Sequence, residues 1–134
     1  MALINDEMKD VASKARIFAV ATASLDGEPN VVAITFAKVL SDDEFLLMDN
    51  FMEKTETNLK ANPRVAISCW DLNPETKVNR GYQFKGDARF EYSGKIFEEG
   101  CQWVKSLRPQ VQPKAAIIVK EASHTSYEPK QAYE

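Results

Sequence analysis

The sequence predicts a mainly β domain, six antiparallel strands closed into a small barrel with helices at its periphery. Three observations carry that prediction. From Tyr82 to Tyr92 the residues alternate: Tyr82, Phe84, Ala88, Phe90 and Tyr92 share one face, and Gln83, Lys85, Asp87, Arg89 and Glu91 the other. Asp26-Gly27 joins two strand-like runs by a turn too short for a parallel crossover. Six such segments are best closed on themselves, because closure removes exposed sheet edges.

Taken in order, Ile4, Met8, Val11 and Ala15 recur at helical spacing, and Asn5 is placed to cap a helix over about Asn5 to Ala15. Asp6 and Glu7 suit its positive end, Lys14 and Arg16 its negative end. Ile17 to Ser24 is continuously apolar, as a strand buried on both faces would be. Asp26-Gly27 predicts a type I′ hairpin turn. Pro29 to Val39 reads as one long strand, Ser41 to Asp43 as a turn, and Phe45 to Asp49 as the third strand. Lys54 to Ala61 predicts a short helix, which Asn62-Pro63 ends. Val65, Ile67 and Cys69 alternate with polar or small residues in a fourth strand. Asp71 to Arg80 is polar, contains Pro74, and reads as a loop. Gly86 interrupts the apolar face of the fifth strand and predicts a bend, a bulge or a close neighbour there. Phe97, Cys101, Val104 and Leu107 predict a third helix, ended by Pro109 and Pro113. Ala115 to Val119 is the sixth strand, and the tail from Glu121 is polar.

The 134 residues suit one domain over 1–134. A net charge of −3 argues against non-specific nucleic-acid binding and against docking on anionic membranes, both of which need surplus Lys and Arg. Cys69 and Cys101 form no CxxC pair, so they are read as two thiols in a reduced cytosol, without a zinc site. Met1 to Lys14 carries Asp6, Glu7, Lys9 and Asp10, which leaves no apolar signal core, and a cytoplasmic location is expected.

The segment Asp49-Asn50-Phe51-Met52-Glu53-Lys54-Thr55 carries the chemistry. A strand ends, a short loop follows, and a helix begins at a Lys-Thr pair. The first turn of a helix presents unpaired N–H groups and partial positive charge, so an anion fits there. On the residues alone, Lys54 suits either a bound phosphate or a solvated helix lysine beside Glu53 and Asn58. No glycine-rich turn precedes it, so this is no P-loop. His124, the one histidine, is read as solvated. Trp70 is expected to finish a core strand and Trp103 to cover the barrel, with Tyr82 and Phe84 in the core or an interface.

Three segments in order resemble the pyridoxamine 5′-phosphate oxidase-like FMN-binding split barrels, most of all the small stand-alone FMN-binding proteins. They are the hairpin Ala21 to Val31, the run Lys54-Thr55-Glu56-Thr57-Asn58-Leu59-Lys60-Ala61-Asn62-Pro63-Arg64-Val65-Ala66, and Phe84-Lys85-Gly86-Asp87-Ala88. The resemblance implies a Greek-key split barrel of six strands, paired as a homodimer with FMN in clefts between the subunits. It implies Lys54 and Thr55 on the phosphate, and Val32, Ala33, Ile34 and Thr35 beside the flavin ring. Met48, Asp49, Asn50 and Phe51 would line the cofactor from the third strand and its loop. Against oxidation of pyridoxamine phosphate, Val31 to Ala37 holds no basic residue, and Tyr127 to Glu134 lacks an Arg-rich segment. The expected activity is a flavin-dependent oxidoreductase or electron carrier. The alternative is a non-redox module of the same fold holding a flavin, a deazaflavin or haem.

Overall fold

A computed structural model describes residues 4–73, 75 and 79–127. Helix α1 (Asp6–Lys14) starts as expected, with the Asn5 side chain accepting from Met8 N–H at 2.9 Å. The strands are β1 (Phe18–Ala23), β2 (Pro29–Ile34), β3 (Ala37–Ser41), β4 (Glu44–Asp49), β5 (Arg64–Leu72), β6 (Asn79–Glu91) and β7 (Ala115–Ser126). Helix α2 (Lys54–Ala61) lies between β4 and β5, and α3 (Lys95–Leu107) between β6 and β7. Every pairing is antiparallel, in one sheet of order β2-β1-β5-β6-β7-β4-β3.

The strand count is therefore seven, not six. The predicted long strand Pro29 to Val39 breaks at Thr35-Phe36 because its halves pair with different partners, β2 with β1 and β3 with β4. Those halves are the two edges of the sheet. Ile34 and Ala37 are three Cα steps apart, at most about 11 Å, so this link curls the sheet to bring one end of β2 near one end of β3. The result is a half-barrel, tied at the link by Met48 N–H donating to Phe36 C=O at 2.9 Å.

Three other local expectations are corrected. In the β1–β2 turn, Gly27 N–H donates to Ser24 C=O at 3.0 Å, so Leu25 and Asp26 are the central residues and Gly27, with φ +90°, follows them. That is the longer hairpin with a left-handed glycine after the turn, not a type I′ turn. The polar stretch Asp71 to Arg80 is partly strand, since β5 and β6 pair out to Leu72 and Asn79. Arg80 bridges Asp71 and Asp10, each at 2.8 Å. The polar tail continues β7 as far as Ser126, because β6 offers a partner as far as Tyr82.

Gly86 fulfils its prediction. The β6–β7 register shifts between Lys85 and Gly86, and a Cβ at Gly86 would sit 2.1 Å from the Lys120 carbonyl oxygen. The extra residue, Ala122, lies on β7 between Glu121 and Ser123. A bulge re-aims side chains, and here it lets Glu121 and His124, three residues apart, meet.

The core has two parts. Inside the curl, Phe18, Val20, Phe45, Leu47, Ile67, Phe84, Ile117 and Val119 pack together under Met8 and Val11 of α1. Outside it, Leu46, Met48, Ile118 and Val111 pack with Val104 of α3. Hence β4 and β7 are covered on both faces. Tyr82 and Phe84 are buried, as expected. Trp70 belongs to β5 but faces outward, 43% exposed, which corrects its core assignment. Trp103 meets Phe36 edge-on at 5.3 Å beneath the Lys38 ammonium. Both cysteines are free, and burial pushes the Cys69 thiol up to about 12. No described helix is long and apolar enough to cross a membrane.

Candidate functional site

Beside the Thr35-Phe36 link lies a cavity of about 340 Å³. Val32 to Phe36 form one wall. Met48 and the loop residues Asn50, Phe51 and Met52 form the second, and Arg108 and Val111 the third. On one side α3 and β4 press together: a Cβ on Gly100 would lie 2.4 Å from the Met48 sulfur. The walls are mainly apolar, the usual character of a small-molecule site, and the volume falls at the lower end of the range for such sites. Two polar groups stand out. Asn50 Oδ1 is buried and meets no donor among the described residues. Arg108, held at the end of α3 by its N–H to Val104 C=O at 2.7 Å, makes no ion pair among the described residues.

Seven of the residues singled out from sequence are thus gathered on one cavity: Val32, Ala33, Ile34, Thr35, Met48, Asn50 and Phe51. Lys54 and Thr55 are not on its wall. They open α2, two residues beyond Met52. Thr55 is buried, and its Oγ1 accepts from Asn30 Nδ2 of β2 at 3.2 Å, which leaves its own O–H to donate. Asn58 Nδ2 donates to Thr22 Oγ1 at 3.1 Å, pinning the same helix to β1. Lys54 is exposed and has no hydrogen bond or ion pair among the described residues. No side chain caps the amino end of α2. An exposed lysine with no ion pair among the described residues, on an uncapped helix start, is an electropositive point, near enough to Asp26 to help hold that acid down.

Asp49 also lies off the cavity wall, fully buried behind the loop. Its Oδ1 accepts from Met52 N–H at 3.0 Å and lies 3.8 Å from the Lys114 ammonium. Its Oδ2 finds no N–H or O–H donor among the described residues, and the Glu56 carboxylate lies against the Asp49 side chain. Burial first, then that second carboxylate, push the Asp49 acid up to about 6. The Glu56 acid is held down by the same contact, by Lys60 and by Lys114. Lys114 bridges the group: it ion-pairs with Glu56 at 3.3 Å, donates to the Met52 carbonyl, and gives its backbone N–H to Asp49 C=O at 2.7 Å.

Sequence reasoning missed Phe36, Met52, Arg108, Val111 and Lys114. Only Arg108 carried a signal, as a cation just before the proline that ends α3. His124 is exposed but not free: its Nδ1 lies 2.6 Å from Oε1 of the buried Glu121, away from the cavity. Among the described residues no cluster of His, Cys, Asp and Glu is suited to a metal ion.

The sequence matches the family described as pyridoxamine 5′-phosphate oxidase over residues 4–127. An uncharacterized protein of Methanocaldococcus jannaschii is 38% identical over 106 residues, 75% of this chain and 66% of that one, so the match spans just under two thirds of that relative. HupZ of Group A Streptococcus superposes with a TM-score of 0.78 at 25% identity, covering 92% of this chain and 94% of that one. An FMN-binding protein of Syntrophomonas wolfei superposes at 0.80 with 15% identity, covering 96% and 91%. The fold recurs in the haem storage protein HutZ of Vibrio cholerae, at 0.68 and 17% identity over 91% and 93%. It also recurs in an F420 reductase, at 0.64 and 16% identity over 87% and 94%.

Proposed function

The chain belongs to the pyridoxamine 5′-phosphate oxidase family, and from that premise we propose that it is an FMN-binding flavoprotein, working as an oxidoreductase or electron carrier with the flavin held between two copies of the chain. The carrying observation is the conjunction of the apolar cavity with the unpaired Lys54 at the uncapped start of α2, two residues past the cavity wall.

The residues present fit FMN. The cavity suits a planar aromatic ring, and the buried, orphaned Asn50 Oδ1 needs an N–H donor of the kind a flavin ring carries. Lys54, the Thr55 hydroxyl and the first-turn amides of α2 would hold the phosphate. Arg108 sets a positive charge at the ring end, which favours an anionic form of what is bound. Bound FMN would supply one- and two-electron redox chemistry. Among the described residues the cavity wall offers Met48 and Met52 but no histidine, cysteine or tyrosine for haem iron, a set that favours flavin over haem at this site. The missing basic residues between Val31 and Ala37 speak against pyridoxamine phosphate as substrate.

The homodimer is supported by the apolar residues flanking the cavity in solvent, Val31 at 66% and Phe51 at 77% exposed, beside the edge strand β2. A second copy would cover them and close the site.

The test compares FMN with riboflavin, which lacks the phosphate. Lys54→Ala is expected to weaken FMN about tenfold or more, the worth of one charge-assisted bond of about 1.5–3 kcal/mol, and to leave riboflavin affinity unchanged. Equal weakening of both would remove Lys54 from the phosphate site. Absence of flavin binding by the wild-type protein would overturn the whole reading.

A further inference from the structure

The Asp49 carboxyl is a buried acid whose Oδ2 meets no donor among the described residues, next to the Glu56 carboxyl. Buried polar groups left in that state cost stability and cluster at functional sites. Its position supplies the function. Asp49 holds Met52 N–H, and Lys114 holds the Met52 carbonyl, so the two side chains clamp both backbone groups of the residue that ends the cavity loop. Glu56 extends the clamp onto the first turn of α2, beside Lys54 and Thr55. The charged groups facing Asp49 are Glu56 from α2 and Lys114 from the segment before β7, and Lys60 binds Glu56 from the next turn at 3.2 Å.

We propose that Asp49 is the positioning residue of this site, and that binding of the dianionic cofactor is accompanied by proton uptake into the Asp49–Glu56 pair. The inference rests on the FMN reading above. A phosphate at the start of α2 adds negative charge next to two carboxylates that already repel each other. Taking up a proton relieves that repulsion. The proton also gives Asp49 Oδ2 a hydrogen to donate to Glu56, while Oδ1 keeps the Met52 amide, so the clamp tightens as the ligand seats. No covalent bond changes; one proton moves from solvent to the pair.

Asparagine at 49 mimics the protonated acid at every pH, with its amide NH₂ toward Glu56. FMN dissociation constants are measured for wild type and Asp49→Asn from pH 5.5 to 8. The phosphate's own ionisation near pH 6 cancels in their ratio. The two proteins are expected to bind FMN alike at pH 5.5, and wild type to fall about three- to tenfold behind Asp49→Asn at pH 8, the span one linked proton allows. Riboflavin should show a smaller change in the ratio. A second measurement uses wild type and Glu56→Gln: calorimetry at pH 7 in two buffers of different ionisation enthalpy should show fractional proton uptake by wild type and less by Glu56→Gln. A ratio that is flat with pH, no proton uptake, or weaker binding by Asp49→Asn at every pH overturns the inference, while FMN binding by wild type leaves the parent reading standing. No flavin binding by wild type at any pH overturns both.

Discussion

Asp49→Asn should make the ligand-free protein more stable at neutral pH, although it deletes a partner of Lys114. The folded-state acid lies at about 6 against an ordinary 3.8, so the folded chain binds its proton more tightly than the unfolded chain does. The stability that proton gives is complete below pH 4, and it is lost as pH rises toward and through 6. Two pKa units correspond to about 3 kcal/mol. Glu56 acts in the opposite sense, because its acid is held below its ordinary value, and this offsets part of the sum. The net gain expected for Asp49→Asn at pH 7.5 is about 1–2 kcal/mol, roughly 3–10 °C in Tm for a chain of this size. Urea denaturation of wild type and variant at half-unit steps from pH 4 to 8 reads it directly. The gain should shrink below pH 6 and vanish near pH 4. A variant less stable at pH 7.5, or a difference independent of pH, would refute the reasoning, because the ionised carboxyl would then be well accommodated.

Gly86→Ala should cost about 3 kcal/mol or more, since the added Cβ meets the Lys120 carbonyl oxygen at 2.1 Å and neither backbone can yield without breaking the β6–β7 pairing; an unchanged urea midpoint would contradict the close approach. Arg108→Gln should lower the midpoint potential of bound FMN by about 30 mV, the two-electron equivalent of about 1.4 kcal/mol, read by anaerobic spectroelectrochemistry; an unchanged potential would remove Arg108 from the ring end. Phe51→Glu should shift the protein toward monomer in sedimentation velocity at micromolar concentration, because Phe51 is 77% exposed at the cavity mouth; an oligomeric state unaltered by that charge would place the contact elsewhere.

Much of the fold was legible because its parts are local. Asn5 capping α1, Pro63 following α2, and the alternation of β6 are each decided within a few residues, and each is seen. The segments Val32 to Thr35 and Met48 to Phe51 were assigned to one site through family resemblance, and the fold does set them on a common cavity, with Asp49 turned behind it. Arg108 and Lys114 escaped notice because their roles depend on α3 and β7 folding back across β4. Trp70 was misassigned because a strand-end tryptophan reads the same whether it faces in or out.

What the sequence determined by itself was the core of the inventory: three helices, the central run of most strands, the sites of the sharp turns, and that a lysine opens the helix after a β strand. Those follow from side-chain period, caps and proline, which act over short range. Only the tertiary structure decided that Pro29 to Val39 is two strands at opposite edges of one sheet, since a bend between different partners leaves no mark in a uniformly β-prone run. The same tertiary packing sets the two wall segments on one cavity and buries Asp49 beside Glu56, and burial with that second carboxylate raises its acid to about 6.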